Sequence, residues 1–266
     1  MVPADPSFTP LDDDYWREYL TRGDDLLHFG RRVFTRLPSD PRCRLCTAPF
    51  AGPGGRAMRL IGKRPSDANP NVCTSCQNQL IRHHGGAEVE GTMLFADIRG
   101  STSLAETMTP GAFHEIIEHF YRVASRTVFE NDGAIDKFVG DELVAMFYSA
   151  LSGERHVARA VAAAQALLRA TGHGEPSGPW VPVGAGVHTG RVWFGAVGEA
   201  PHVELTALGD PVNTTARLAA AAGAGEVLVS VDAAERAALD PSLPRRRLQL
   251  KGKREPVDVV VLGAGA

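Results

Sequence analysis

The sequence predicts a mixed α/β (α+β) domain of catalytic size preceded by a small metal-binding module. Three observations carry that expectation. All four cysteines of the 266-residue chain fall early, as two Cys-x-x-Cys pairs, Cys43/Cys46 and Cys73/Cys76. From about Gly85 onward the chain changes texture into alternating apolar strand-like runs and amphipathic helical segments. Within that second part, apolar runs end on a carboxylate close to a glycine-containing turn, at Asp97 in "TMLFADIRGST" and at Asp141 in "KFVGDEL".

Length sets the scale: one catalytic-sized domain plus a small module fits 266 residues. Hydrophobic residues make up 44% and charged residues 22%, which places the chain among globular proteins and excludes disorder. A formal net charge of -3 gives no general basic field, so neither nucleic acid nor an anionic membrane surface is an expected partner. The acidic start "MVPADPSFTPLDDDYW" lacks the positive-then-apolar pattern of a signal peptide, and the most apolar helical stretch, "VARAVAAAQALLRA", is interrupted by Arg159 and Arg169. A cytoplasmic protein without a membrane span is the expectation.

Residues 1–42 read as a helical region. "DDDYWREYLTRGDDLLHFGRRVFTRL" sets Tyr15, Leu20, Leu26, Leu27, Phe34 and Leu37 among charges, which gives a helix broken near Gly23 and ended before Pro38. Such a helix serves packing or dimer contact. Residues 43–84 form the four-cysteine module, its two pairs joined by a Gly/Pro-rich loop. Four thiolates suit a closed, structural tetrahedral Zn²⁺ site. The same ligand set also suits an iron-sulfur cluster, and ligand softness does not separate the two. His83 and His84 read as solvated residues of a linker, "RHHGGAEVEG".

Residues 85–266 then unfold as a series. The run "TMLFADI" is a strand, "RGST" a turn able to pass under a phosphate, and "STSLAE" a helix whose first N–H groups face that turn, which brings Gly100, Ser101 and Thr102 to an anion. A second helix begins at Pro110 and spaces Phe113, Ile116, Ile117, Phe120, Ala124 and Val128 as a core face. "GAIDKFVGDELVAMF" is a hairpin whose turn uses Gly140 and presents Asp141 at its tip. Two aspartates converging beside a phosphate-cradling turn make a site for two hard divalent cations. In "VELTALGDPVNTTARLAAAA" a strand passes through Gly209-Asp210-Pro211 into a helix with Asn213 and Arg217 on one face, able to hold a ribose and a developing phosphate charge. "LQLKGKREPVDVVVL" is strand, basic turn and strand, with Lys251 and Lys253 placed to meet a triphosphate or merely to decorate the hairpin.

Taken together and in this order, "FADIRGST", "KFVGDELVAMF", "GAGVHTGRVWFGAVG", "TALGDPVNTTARL" and "LKGKREPV" resemble the catalytic domain of class III adenylyl/guanylyl cyclases, over roughly Glu88 to Leu262. The resemblance implies a ferredoxin-like fold that acts as a homodimer, with active sites at the interface. It implies that Asp97, Asp141 and the carbonyl of Ile98 hold two Mg²⁺ or Mn²⁺ ions, and that Lys137 and Thr206 read the purine. Thr206 stands where many members carry aspartate and a subgroup carries threonine. By the same resemblance Asn213 positions the ribose, Arg217 stabilises the transition state and Lys251 contacts the triphosphate. Adenine offers an acceptor at N1 and a donor at N6, which suit a lysine and a hydroxyl, so ATP is expected over GTP. The alternatives are a guanylyl or other nucleotidyl cyclase and a non-catalytic nucleotide sensor or scaffold. The Gly-Gly-Asp/Glu-Glu-Phe signature of diguanylate cyclases is not present.

Overall fold

A computed structural model describes residues 13–23, 25–37 and 40–265, without the side chains of 25–28. The expectations for the Leu26 and Leu27 side chains and for Pro38 lie outside the described residues. The chain divides into two compact units, one formed up to Val89 together with Trp193–Ala207, the other from Glu90–Val192 with Leu208 to the end.

In the first unit the expected N-terminal helix is two helices, α1 (Asp13–Thr21) and α2 (Asp25–Phe34), broken where Gly23 takes φ +74°. The buried anchor of α1 is Trp16, 2% exposed, with Leu20 one turn on. Its indole N–H donates to the carbonyl of His83 at 2.9 Å, and the ring of Tyr15 stacks on the His83 imidazole at 3.7 Å. His84 in turn bonds the carbonyl of Gly198 at 2.7 Å. His83 is therefore a half-buried packing residue rather than part of a solvated linker, held by aromatic partners brought in from afar, whereas His84 stays exposed as expected. Helices α3 (Gly52–Leu60) and α4 (Thr74–Arg82) flank the cysteine loops.

Strand β1 (Gly85–Ile98) also corrects that linker, because it starts at Gly85 and takes in most of "RHHGGAEVEG". Tight approach explains its glycines: a Cβ on Gly86 would lie 2.2 Å from the Phe194 carbonyl oxygen. The long strand β4 (Val183–Glu199), to which Phe194 belongs, pairs with β1, and β5 (His202–Leu208) pairs with β4.

The second unit supplies the remaining elements: α5 (Ser101–Thr107), α6 (Pro110–Glu130), β2 (Ala134–Val139), β3 (Glu142–Tyr148), α7 (Ser149–Ser152), α8 (His156–Ala170), α9 (Asp210–Ala221), β6 (Val227–Ser230), α10 (Val231–Arg236), β7 (Arg245–Leu248) and β8 (Val257–Leu262). The sheet runs β2-β3-β1-β4-β6-β8-β7. Pairing is antiparallel for β1 with β3, β2 with β3, β6 with β8 and β7 with β8, and parallel for β4 with β6. A mixed sheet with helices, as expected, is the fold.

Alternation along the strands assigns the two faces of this sheet. Val227 and Val229 of β6, with Val260 and Leu262 of β8, pack with α6, α8 and α10 through Phe120, Ala124, Val128, Ala164, Leu167 and Ala233. The alternate residues Leu228 of β6 and Val259 of β8 join Leu218 of α9 on the other face. The start of α6 is capped as its sequence requires: the Thr109 side chain accepts from the Ala112 N–H, and Pro110 occupies the first turn. Of the six residues expected on its core face, Phe120, Ala124 and Val128 are buried and Phe113, Ile116 and Ile117 are half-buried.

Candidate active site

β1 ends where β3 begins. Their antiparallel register sets Asp97 directly across from Glu142, and the Ile98 N–H reaches the carbonyl of Asp141 at 3.4 Å. The β2–β3 turn supplies Asp141: Gly140 takes φ +61°, a conformation that costs other residues free energy, and so reverses the chain within two residues. Asp97 and Asp141 are thus brought together at one end of the sheet, with Ile98 beside them and its side chain buried.

Asp97 and Glu142 resist ionisation. Burial pushes Asp97 up to about 6; the positive Arg99 opposes this, and a hydrogen bond and negative charge from Asp141 add to it. Glu142 is pushed up to about 7, first by burial and then by the charges of Asp97 and Asp141. Three carboxylates sharing a half-buried site repel one another, which is the electrostatic condition that a bound cation relieves. No motif in the sequence marks Glu142 or Arg99. The register that sets Glu142 across from Asp97 was the signal, and it exists only once the strands pair.

Gly100 follows at φ +71° and begins α5 without a side-chain cap, its carbonyl accepting from the Leu104 N–H at 2.9 Å. Ser101 is half-buried and Thr102 exposed at the start of that helix. The Gly-Ser-Thr turn therefore begins three residues after Asp97.

A second group gathers around α9. Asn213 is exposed and Arg217 half-buried, one helical turn apart. The Arg217 guanidinium lies against the turn of the β7–β8 connection, 3.4 Å from where a Cβ on Gly252 would stand. In that turn Lys253 pairs with Asp210 at the start of α9, while Lys251 stays exposed. Lys137 lies on β2 just past a register shift, its ammonium 3.6 Å from the Asp136 carboxylate, whose side chain is only 4% exposed. Thr206 lies on β5 in the first unit and is 9% exposed.

The four cysteines of the first unit form a separate constellation. All are buried, their sulfurs lie within 4.8 Å of one another, and Cys46 Sγ and Cys73 Sγ are 3.7 Å apart. The Cys73 N–H donates to Cys43 Sγ at 3.2 Å. Burial pushes the Cys43 thiol up, whereas hydrogen bonds from Cys43 pull Cys46 and Cys73 down. Lys63 is held in its charged form although burial works against it, because the thiolates of Cys46 and its neighbours outweigh that cost. Phe34, Phe50, Met58 and Val72 close an apolar shell around the sulfurs. A Zn–S bond of about 2.3 Å in a tetrahedron puts sulfurs about 3.8 Å apart, so this cage fits one four-coordinate ion.

An end-of-sheet acid cluster, an arginine-bearing helix and a basic turn thus belong to one mixed-sheet unit. Residues 87–263 match the family described as the adenylate and guanylate cyclase catalytic domain, and the chain belongs to that family. An adenylate cyclase of Anabaena cylindrica is 33% identical over 132 residues, covering 48% of this chain and 26% of that protein. Adenylate cyclase 1 of Rhizobium meliloti is 31% identical over 144 residues, covering 51% of this chain and 22% of the other. The chain therefore spans about a quarter of the length of these curated relatives. Among solved structures, the guanylyl cyclase Cya2 superposes with a TM-score of 0.61 at 25% identity, over 66% of this chain and 93% of that one. The adenylyl cyclase CyaB from P. aeruginosa gives 0.57 at 26%, over 66% and 95%. Among the described residues, no helix is long and apolar enough to cross a membrane.

Proposed function

We propose that this chain is an adenylyl cyclase that converts ATP to 3′,5′-cyclic AMP and pyrophosphate at a homodimer interface, with two Mg²⁺ or Mn²⁺ ions at each site. The observation that carries this reading is the meeting of Asp97 and Asp141 at the β1–β3 end, where burial and the neighbouring Asp141 charge raise the Asp97 carboxyl to about 6. Bound there, divalent ions would acidify the ribose 3′-hydroxyl and neutralise the leaving pyrophosphate.

The protein's own groups have distinct roles in this proposal. Asp97, Asp141 and the Ile98 carbonyl hold the ions. Gly100, Ser101 and Thr102 offer the turn and the first N–H groups of α5 to the phosphates. Asn213 orients the ribose, Arg217 meets the charge that grows on the α-phosphate, and Lys251 meets the triphosphate. Lys137 donates to adenine N1 and the Thr206 hydroxyl accepts from N6, which favours ATP over GTP. Residues 1–42, 43–84 and 85–266 divide as helical region, metal module and catalytic domain. The close set of four sulfurs supports a single Zn²⁺ in the module, since a cluster interposes more than one iron and spreads its thiolates.

The test is product analysis of the purified chain incubated with Mg²⁺ or Mn²⁺ and each of the four nucleoside triphosphates, with Asp97→Ala as control. Cyclic AMP that vanishes in the control is the expected result. Cyclic GMP as the main product would overturn the base assignment alone. The absence of any cyclic product would overturn the activity. Elemental analysis showing one zinc per chain, with a colourless protein, is expected for the module; a brown chromophore would overturn zinc.

A further inference from the structure

Arg99 touches two places at once. Its Nη2–H donates to Asp97 Oδ2, and its Nε–H donates to the Asp97 carbonyl oxygen at 3.3 Å. Its Nη1 reaches the carbonyls of Ala220 at 3.3 Å and Ala222 at 3.5 Å, while its backbone N–H is anchored on the Pro182 carbonyl at 2.8 Å. Helix α9 ends at Ala221, so Ala220 O and Ala222 O are end carbonyls for which the helix has no N–H partner, and they carry the negative end of its dipole. The same helix bears Asn213 and Arg217. All of these contacts lie within the second unit.

A guanidinium spans this gap because it presents donors in several fixed directions from one planar group; an ammonium cannot serve a carboxylate and two carbonyls with the same geometry. It is also a poor neighbour for a divalent ion on the same Asp97 oxygen, since like charges a few ångströms apart repel strongly in a half-buried site.

We propose that Arg99 is a positioning residue that stands in for the cation at Asp97 and passes to the carboxyl end of α9 when a divalent ion takes that oxygen, so that metal occupancy sets the placement of Asn213 and Arg217. The inference rests on the reading of Asp97 and Asp141 as metal ligands. Metal entry at the β1 end then costs the displacement of one ion pair and is repaid by a fuller cap on α9. Removing the guanidinium separates the two effects, because metal binding loses its competitor and α9 loses its tether.

The experiment uses the full chain without nucleotide at about pH 8, where the carboxyls are largely ionised. Free Mn²⁺ is followed by its paramagnetic resonance, and amide hydrogen exchange is read over residues 217–222. In the wild type, Mn²⁺ is expected to slow exchange in that segment. Arg99→Gln should bind Mn²⁺ about tenfold more tightly, the factor set by one charge-assisted hydrogen bond of ordinary strength. Its 217–222 amides should exchange faster than wild type and stop responding to Mn²⁺. Arg99→Lys, which keeps the charge but not the fork, should bind Mn²⁺ within about threefold of wild type and still lose the exchange response. Unchanged or weaker Mn²⁺ binding in a folded Arg99→Gln, or wild-type amides indifferent to Mn²⁺, would overturn the proposal. Mn²⁺ binding that survives Asp97→Ala combined with Asp141→Ala would instead overturn the metal-site reading beneath it.

Discussion

Without divalent cations, the acid cluster should make the second unit less stable as pH rises from about 4 to about 7. Asp97 at about 6 and Glu142 at about 7 stand above ordinary values of 3.8 and 4.5, so the native chain keeps these protons over a range in which the unfolded chain has already lost them. Native protons in excess give stability a negative slope with pH. The associated stabilisation is fully present below the unfolded values and is lost by the time pH has passed the folded ones. A little over two units per group is nominally about 3 kcal/mol each. Both side chains are only half-buried, and solvent screening reduces this to roughly 1 kcal/mol apiece. For a domain of this size, roughly 2 kcal/mol in all corresponds to a fall in Tm of about 4–8 °C. The assay is thermal unfolding from about pH 4 to about pH 7.5 without added divalent cations, comparing wild type with Asp97→Asn combined with Glu142→Gln, which keep shape and remove charge. The variant's profile should be flatter by that amount, and added Mg²⁺ should restore the wild type at the upper end. Parallel profiles for the two proteins would refute the electrostatic account of the site.

Other perturbations read different parts of the molecule. Cys46→Ser opens the sulfur cage, and because metal binding in such modules is itself folding free energy, both metal content and protease resistance of residues 40–85 should fall; full metal retention would contradict the ligand assignment. Gly86→Ala drives a methyl group to 2.2 Å from the Phe194 carbonyl and 2.6 Å from the Gly195 Cα, both backbone, so a loss of about 2–3 kcal/mol is expected in urea unfolding, and an unshifted midpoint would deny the close β1–β4 approach. Arg217→Ala should lower turnover by about 10²-fold or more with the fold intact, and near-normal turnover would remove Arg217 from the chemistry.

The legible parts of the sequence share a cause. The turn at Gly140, the break at Gly23 and the start of α6 at Thr109-Pro110 each depend on the conformational limits of one or two residues, and so are written locally. Asp97 and Asp141 could be paired in advance because each closes an apolar run beside a turn. Their grouping is geometric fact; their role as metal ligands remains part of the proposed function. The illegible parts depend on partners far along the chain. Gly85 and Gly86 read as a linker because glycine pairs occur in linkers, yet Gly86 is there because Phe194 and Gly195 lie against it. Trp16 was one aromatic residue in an acidic helix until the His83 carbonyl came within reach of its indole.

By itself, then, the sequence determined the order of elements, the turns that reverse the chain, the two cysteine pairs and the carboxylates that close the strands, because backbone permission and hydrophobic period act over a few residues. Only the tertiary structure decided which charges meet. It set Glu142 across from Asp97 through strand register, brought Arg99 between Asp97 and the end of α9, and gathered four sulfurs into one cage. Electrostatic interaction depends on distance and burial, and both come into being only when the chain has folded.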